Sequence, residues 1–284
     1  MKPETLLPDL FCFRDACNVY VVRDGAEAIA IDFGTGRWMR ELPGLGIRAL
    51  RHVFLTHHHV DQCAGLAARR SWPFEIHASC LEEPFLSPRG VAGYWRARRP
   101  VSGCPPSYSV LQRGLRGARF DLMDGADWFW GLRRLRFIHT PGHGPGALSV
   151  ALTHRGKQIV FCGDAAHAGA TLWQPYHLEW DHWTGTGALA AWNGVWRLAD
   201  IGVDLLCPSH GPVVAERPRA QLRQLARKLR REHSLISRLE LGERRVDVVE
   251  FFWICQACGA DPARTAGALM RQFAKIQSDS PPAR

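Results

Sequence analysis

The sequence predicts an α/β fold that ends in a helical C-terminal region. Three observations carry this. Short apolar runs bounded by glycine, proline or polar turns recur between residues 18 and 207. Several of those runs stop on a histidine or an aspartate. From Arg217 onward the apolar residues fall at helical spacing instead.

The runs at 18–22 and 28–31 predict two strands, with Arg23-Asp24-Gly25 between them as a hairpin turn. Asp32-Phe33-Gly34 breaks the pattern, and a short helix is expected around 36–42. The run 52–55 is β-prone and stops at Thr56 and a histidine cluster; a helix is expected to start over 63–70 and a strand over 74–77. Strands follow at 128–130, 135–138, 147–152 and 158–162, a helix at 188–199, and a buried strand at 203–207. Leu222, Leu225, Leu229 and Ile236 mark one face of a helix. Two more helices are expected at 246–257 and 263–276, the second opened by Asp261-Pro262. There is no internal repeat. The expected organisation is a first domain over 1–216 and a helical region over 217–284. Within the first, the pattern dissolves over 82–119, where Pro84, Pro88, Pro100, Pro105 and Pro106 crowd among arginines. An irregular stretch of that length reads as a lid or insert.

A chain of 284 residues can bury a large core. No apolar run approaches the roughly 20 residues that cross a bilayer, so no membrane partner is expected. The N-terminal MKPETLLPDLFCF has no apolar core or small-residue cleavage site, which makes the cytoplasm the expected compartment. Nine scattered cysteines read as reduced core residues; Cys255 and Cys258 form a C-x-x-C without the second ligand pair a structural zinc site needs. The net charge of +9 favours anionic partners such as phosphates or carboxylates.

The strongest chemical signal is Thr56-His57-His58-His59-Val60-Asp61-Gln62. Histidines at i and i+2 on extended backbone project to one side, and an aspartate two residues later reaches a neighbouring position. Neutral imidazole is a good ligand for zinc and iron. Three distant segments repeat the theme just after predicted strands: Thr140-Pro141-Gly142-His143-Gly144, Cys162-Gly163-Asp164, and Pro208-Ser209-His210-Gly211. Loops at strand ends are where sites are usually built.

These four segments, in this order, closely resemble the motif series of the metallo-β-lactamase superfamily. The resemblance runs from about residue 18 to 214. It implies an αββα sandwich with a metal site along one edge of the two sheets. By position it implies a first zinc site of His57, His59 and His143, a second of Asp61 and His210, and Asp164 bridging both. The chain departs from the pattern at Gln62, where the family usually has histidine. An amide oxygen is the weaker, harder ligand, so the second site is expected to bind weakly or to prefer Mn(II) or Fe(II).

A metal held there lowers the pKa of water from ~15.7 towards ~7, so the resemblance implies hydrolysis, with Asp61 orienting the nucleophile or carrying its proton. The chain looks most like glyoxalase II-like hydrolases of small esters, thioesters or lactones. Its segment Ala165-Ala166-His167-Ala168-Gly169-Ala170 lacks the Gly/Cys/Arg-rich character that goes with glutathione substrates. An alternative is an iron persulfide-dioxygenase-like oxygenase using His57, His143 and Asp164. A phosphodiesterase or nuclease ranks below both, because no nuclease motif accompanies the basic charge, and nucleic acid is not an expected partner. His167 is a candidate for substrate contact or proton transfer. His58 should point away from the ligands into a structural role, and His52, His77, His139, His154 and His233 have no motif support. Trp173, Tyr176, Trp180, Trp183, Trp192 and Trp196 read equally as pocket walls or as core. Arg217, Arg219, Arg223, Arg227, Lys228, Arg230 and Arg231 read first as a solvated helix face.

Overall fold

The computed structural model describes residues 2–68, 70–97, 110–172, 185–240, 246, 248–257 and 260–279. Twelve strands among them form two sheets. The first runs in sequence order through β1 (Glu4–Leu7), β2 (Leu10–Arg14), β3 (Asn18–Asp24), β4 (Glu27–Ile31), β5 (Ala49–Phe54), β6 (Glu75–Ser79) and β7 (Ala118–Leu122). The second is ordered β12 (Leu205–Pro208), β11 (Lys157–Gly163), β10 (Leu148–His154), β9 (Arg133–His139), β8 (Asp127–Trp130). The β3–β4 hairpin turns on Gly25, which takes the positive φ of 58° that the turn requires. From β4 to β7 the pairing is parallel, as is β11 with β12, and the short α1 (Val60–Cys63) follows β5.

Strand alternation sorts the core into three layers. Leu10, Cys12, Tyr20, Val22, Ile29 and Ile31 face inward and meet Leu135, Phe137, Val150, Leu152, Ile159 and Phe161 of the second sheet. Their neighbours Phe11, Phe13, Val19, Val21, Ala28 and Ala30 face outward, against Trp38, Leu42, Leu66 and Leu86. On the other side, Ile138, Ala151, Val160 and Cys162 meet Val195, Leu198 and Ala199 of α4 (Gly185–Asp200) and Leu222, Leu225 and Leu229 of α5 (Pro218–Glu240). Period-2 burial on both faces of both sheets gives the αββα sandwich.

Three strands escape the sequence reading. All of β2 except its last residue is buried, so it lacks the alternation that marks a half-exposed strand; β1 and β7 are edge strands with weak patterns. The stretch 82–119 is not structureless where it is described: α2 (Glu83–Leu86) and α3 (Pro88–Ala97) occupy its first part and β7 its end. Pro84 and Pro88 open helices here instead of breaking them, since a first-turn residue needs no N–H partner. Residues 98–109 of that stretch lie outside the described residues, as do Trp173, Tyr176, Trp180 and Trp183.

The chain divides into two compact units, Met1–His233 and Ser234–Arg284. This division lies inside α5, beyond the boundary expected at 216, because Leu222, Leu225 and Leu229 are core residues of the first unit. The second unit contains α6 (Val248–Ala257) and α7 (Pro262–Asp279), and Asp261 accepts from the Arg264 N–H as the N-cap of α7. No helix among the described residues is long and apolar enough to cross a membrane.

Candidate metal centre

The histidine run begins three residues after β5 ends, on backbone fixed by a buried carboxylate. Asp32, at the end of β4, accepts hydrogen bonds from the Thr56 N–H (2.8 Å) and hydroxyl (2.9 Å) and from the Ser209 hydroxyl (3.2 Å). It therefore joins the loops that carry His57 and His210. Burial raises its pKa to about 7, against the opposing effect of these hydrogen bonds. With its proton given to Asp32, the Thr56 hydroxyl can accept from His57 Nδ1–H at 3.0 Å. That tautomer leaves His57 Nε2 as a bare lone pair, the form a metal ligand needs.

The His210 loop is held from below by β3. Asn18 Nδ2 donates to the carbonyls of Pro208 (2.8 Å) and Gly211 (2.9 Å), and the Tyr20 hydroxyl donates to Pro208 at 2.7 Å. The His143 loop depends on Gly142, whose φ is 125° and whose missing Cβ would lie 2.6 Å from Ala191 of α4. His58 points away from the cluster, as expected. It pairs with the buried Glu82, stacks on Phe85 with centroids 4.4 Å apart, and Glu82 also accepts from the Gly146 N–H at 2.8 Å. Through Glu82, the two histidine-bearing loops are tied together.

The side chains from these four segments converge. His59 Nδ1 lies 2.8 Å from His143 Nε2. Asp164 Oδ2 lies 3.3 Å from His143 Nε2, 3.5 Å from His57 Nε2 and 3.7 Å from His210 Nε2. Asp61 Oδ2 lies 2.7 Å from His210 Nε2. Two groups able to hold a cation result, His57–His59–His143–Asp164 and Asp61–Asp164–His210, with Asp164 common to both. His57 Nε2 is buried without a hydrogen-bond partner, an arrangement that is costly unless a cation occupies its lone pair.

The electrostatics suit a metal. Burial, reinforced by His59 and His143, pushes the His57 pKa well below its ordinary value, which keeps the ring neutral. Burial acts to raise the Asp164 carboxyl, but hydrogen bonding to His167 and the neighbouring His143 and His210 rings outweigh it and bring it to about 2. For His210, the hydrogen bond to Asp61 and the charge of Asp164 overcome desolvation and raise the pKa. His167 is 5% exposed; its Nε2 lies 3.2 Å from Asp164 Oδ1 and its Nδ1 donates to the His210 carbonyl at 3.0 Å. Gln62 is fully buried, donates from Nε2 to Asp61 Oδ2 at 3.2 Å, and leaves Oε1 without a hydrogen-bond partner.

Asp32 and Glu82 are the site residues the sequence reading passes over. Asp32 gives a faint signal, an aspartate closing an apolar strand. Glu82 gives none, because its partners stand 24 and 64 residues away.

The model of the metallo-β-lactamase superfamily matches residues 13–210 of this chain, and the chain belongs to that superfamily. Among solved structures it is similar to a Cronobacter sakazakii metallo-β-lactamase described by its HARLDQ motif, at 18% identity and a TM-score of 0.59, over 86% of this chain and 96% of that one. It is similar to a subclass B3 metallo-β-lactamase of Bradyrhizobium japonicum at 16% identity and a TM-score of 0.60, over 84% of this chain and 95% of that one. A metallo-β-lactamase family protein of Thermus thermophilus is similar at 22% identity and a TM-score of 0.56, over 84% of this chain and 82% of that one. At these identities the likeness is one of fold. No curated protein matches the chain.

Proposed function

We propose that this chain is a metal-dependent hydrolase acting on a small-molecule ester, thioester or lactone-like bond. The observation that carries the reading is the convergence of three imidazole nitrogens on one buried carboxylate oxygen, Asp164 Oδ2, within 3.3–3.7 Å. In this reading His57, His59 and His143 would hold the first ion and Asp61 and His210 the second, with Asp164 shared by the two groups. A divalent ion of the zinc class held there supplies Lewis acidity and lowers the pKa of water at neutral pH. Asp61, 38% exposed at its side chain, orients the attacking water and takes its proton. His167 is too buried to meet a substrate readily; its position behind Asp164 suits holding that carboxylate ionised and aimed. The sequence run His57 to Gln62 reads HHHVDQ and ends in Asp-Gln, as does the HARLDQ motif of the Cronobacter protein. That supports Gln62 as a tolerated occupant of the sixth position. The basic net charge of +9 supports an anionic small-molecule substrate.

The test has two arms. Zinc-loaded protein is assayed on thioesters, lactones and phosphodiesters, and iron-loaded protein on persulfides under oxygen. Thioester or lactone hydrolysis, abolished together with the metal of this centre by His57→Ala or His143→Ala, is the expected result. Oxygen uptake by the iron form with no hydrolysis would replace this reading with the dioxygenase one. The contact of His59 with His143 favours the hydrolase, since an iron triad does not need His59.

A further inference from the structure

A second cluster of ligand-type side chains lies on β5 and β6, before the loop that carries His57. His52 is in the second half of β5, five residues before His57. It pairs in register with Glu75 on the neighbouring β6, and His77 lies two residues further along β6 on the same face. Nothing in the sequence motifs involves these residues.

Three potential donor atoms form a near-equilateral triangle. His52 Nδ1 is 3.2 Å from His77 Nε2 and 3.4 Å from Glu75 Oε2, and His77 Nε2 is 3.6 Å from Glu75 Oε2. Ligands around a tetrahedral zinc, at ~2.0–2.2 Å from the ion, stand about 3.3–3.6 Å from one another. The triangle thus matches one face of a zinc tetrahedron.

The surroundings fit as well. His77 is fully buried, and its Nδ1 donates to Asp121 on β7 at 3.1 Å. This fixes the tautomer with the Nε2 lone pair aimed at the triangle's centre, the carboxylate–histidine arrangement found behind zinc ligands. Arg119 binds the other oxygen of Glu75, Oε1, at 2.5 Å and leaves Oε2 turned inward. Trp128 of β8 packs edge-on against His77 and His52, with centroids 4.5 and 5.5 Å away. The His52 and Glu75 side chains are 19% and 40% exposed, so an ion can enter and keep a water on its fourth position. Burial and the adjacent His77 lower the His52 pKa, which keeps that ring in its ligand form.

We propose that His52 Nδ1, His77 Nε2 and Glu75 Oε2 form an additional zinc site, distinct from the candidate catalytic centre, with Asp121 positioning His77. The site joins β5 to β6 directly and β7 through Asp121. The competing arrangement is a metal-free hydrogen-bonded chain, in which the His52 Nδ1 proton serves both His77 Nε2 and Glu75 Oε2.

Zinc titration of the chelator-stripped full chain against a chromophoric competitor separates the two. Wild type is compared with His52→Ala, Glu75→Gln and Asp121→Asn. The expected result is one zinc equivalent fewer for His52→Ala and for Glu75→Gln, and one equivalent weakened 10–100-fold for Asp121→Asn. Glu75→Gln conserves volume at a partly exposed side chain, so it decides the matter if His52→Ala fails to fold, as judged by circular dichroism. Equal equivalents of equal tightness in wild type and Glu75→Gln would overturn the proposal.

Discussion

At the scale of single residues, the candidate centre turns on where hydrogen bonds put lone pairs. Asp32 and Thr56 set His57, and Glu82 sets the loops on either side. Gln62 stands where the resemblance implies a histidine, and its Nε2 hydrogen-bonds Asp61, a ligand of the proposed second ion. Gln62→His removes that amide and adds an imidazole. We expect the more weakly held ion to bind more tightly in this variant, with the first unchanged. Zinc titration of the two proteins checks this, and two equally tight catalytic ions in the wild type would refute the role given to Gln62. Glu82→Ala has a different consequence. It leaves His58 Nδ1 and the Gly146 N–H without their buried acceptor, and breaking such a pair costs about 3–5 kcal/mol. Denaturant unfolding should record that loss, and Glu82→Gln, which keeps an acceptor, should lose less.

At the scale of elements, the two sheets are tied at their turns as well as through their core. Asp9, in the β1–β2 turn, accepts from Arg23 of β3 at 2.6 Å and from Arg155 in the β10–β11 turn at 2.6 Å. Hydrogen bonds from Arg23 and then Arg155 hold its carboxyl below the ordinary 3.8. A carboxyl held down in the folded state stabilises above its unfolded pKa and loses that contribution as pH falls through the folded value. Asp9→Asn should therefore cost about 1 kcal/mol at neutral pH, and the two proteins should converge below pH ~4. Melting curves across that range test it. In helix α5 the Leu222–Leu225–Leu229 stripe is core, as the spacing implies. Its cations are only partly a solvated face: Arg219 donates to the Ala199 carbonyl, Lys228 to that of Ala170, and Arg230 lies over Trp192.

At the scale of the whole molecule, the proposed catalytic ions link four loops that are far apart in sequence. A ligand that binds only the folded state stabilises it, by about 2.7 kcal/mol at a hundredfold excess over Kd. Stripping metal with a chelator should then lower the melting temperature by roughly 5–10 °C. Zinc should restore it in the wild type, and restore it less in His143→Ala. An unchanged melting temperature on chelation would count against a metal centre in these loops.

The sequence alone determined most of the strands, because residue periodicity and turn chemistry are local properties, and it pointed to the sandwich through the motifs that resemble the metallo-β-lactamase superfamily. It also delivered the set His57, His59, Asp61, His143, Asp164 and His210 as candidates, because each sits beside a short motif at a strand end. Only the tertiary structure decided what stands behind and beyond them. Asp32 and Glu82 meet their partners across long loops, the segment after Glu82 turned helical once its prolines could sit in first turns, and α5 continued the first unit's core past residue 216. His52, Glu75, His77 and Asp121 come together only because β5, β6 and β7 lie parallel and in register. Register is a property of paired strands, and no single strand's sequence contains it.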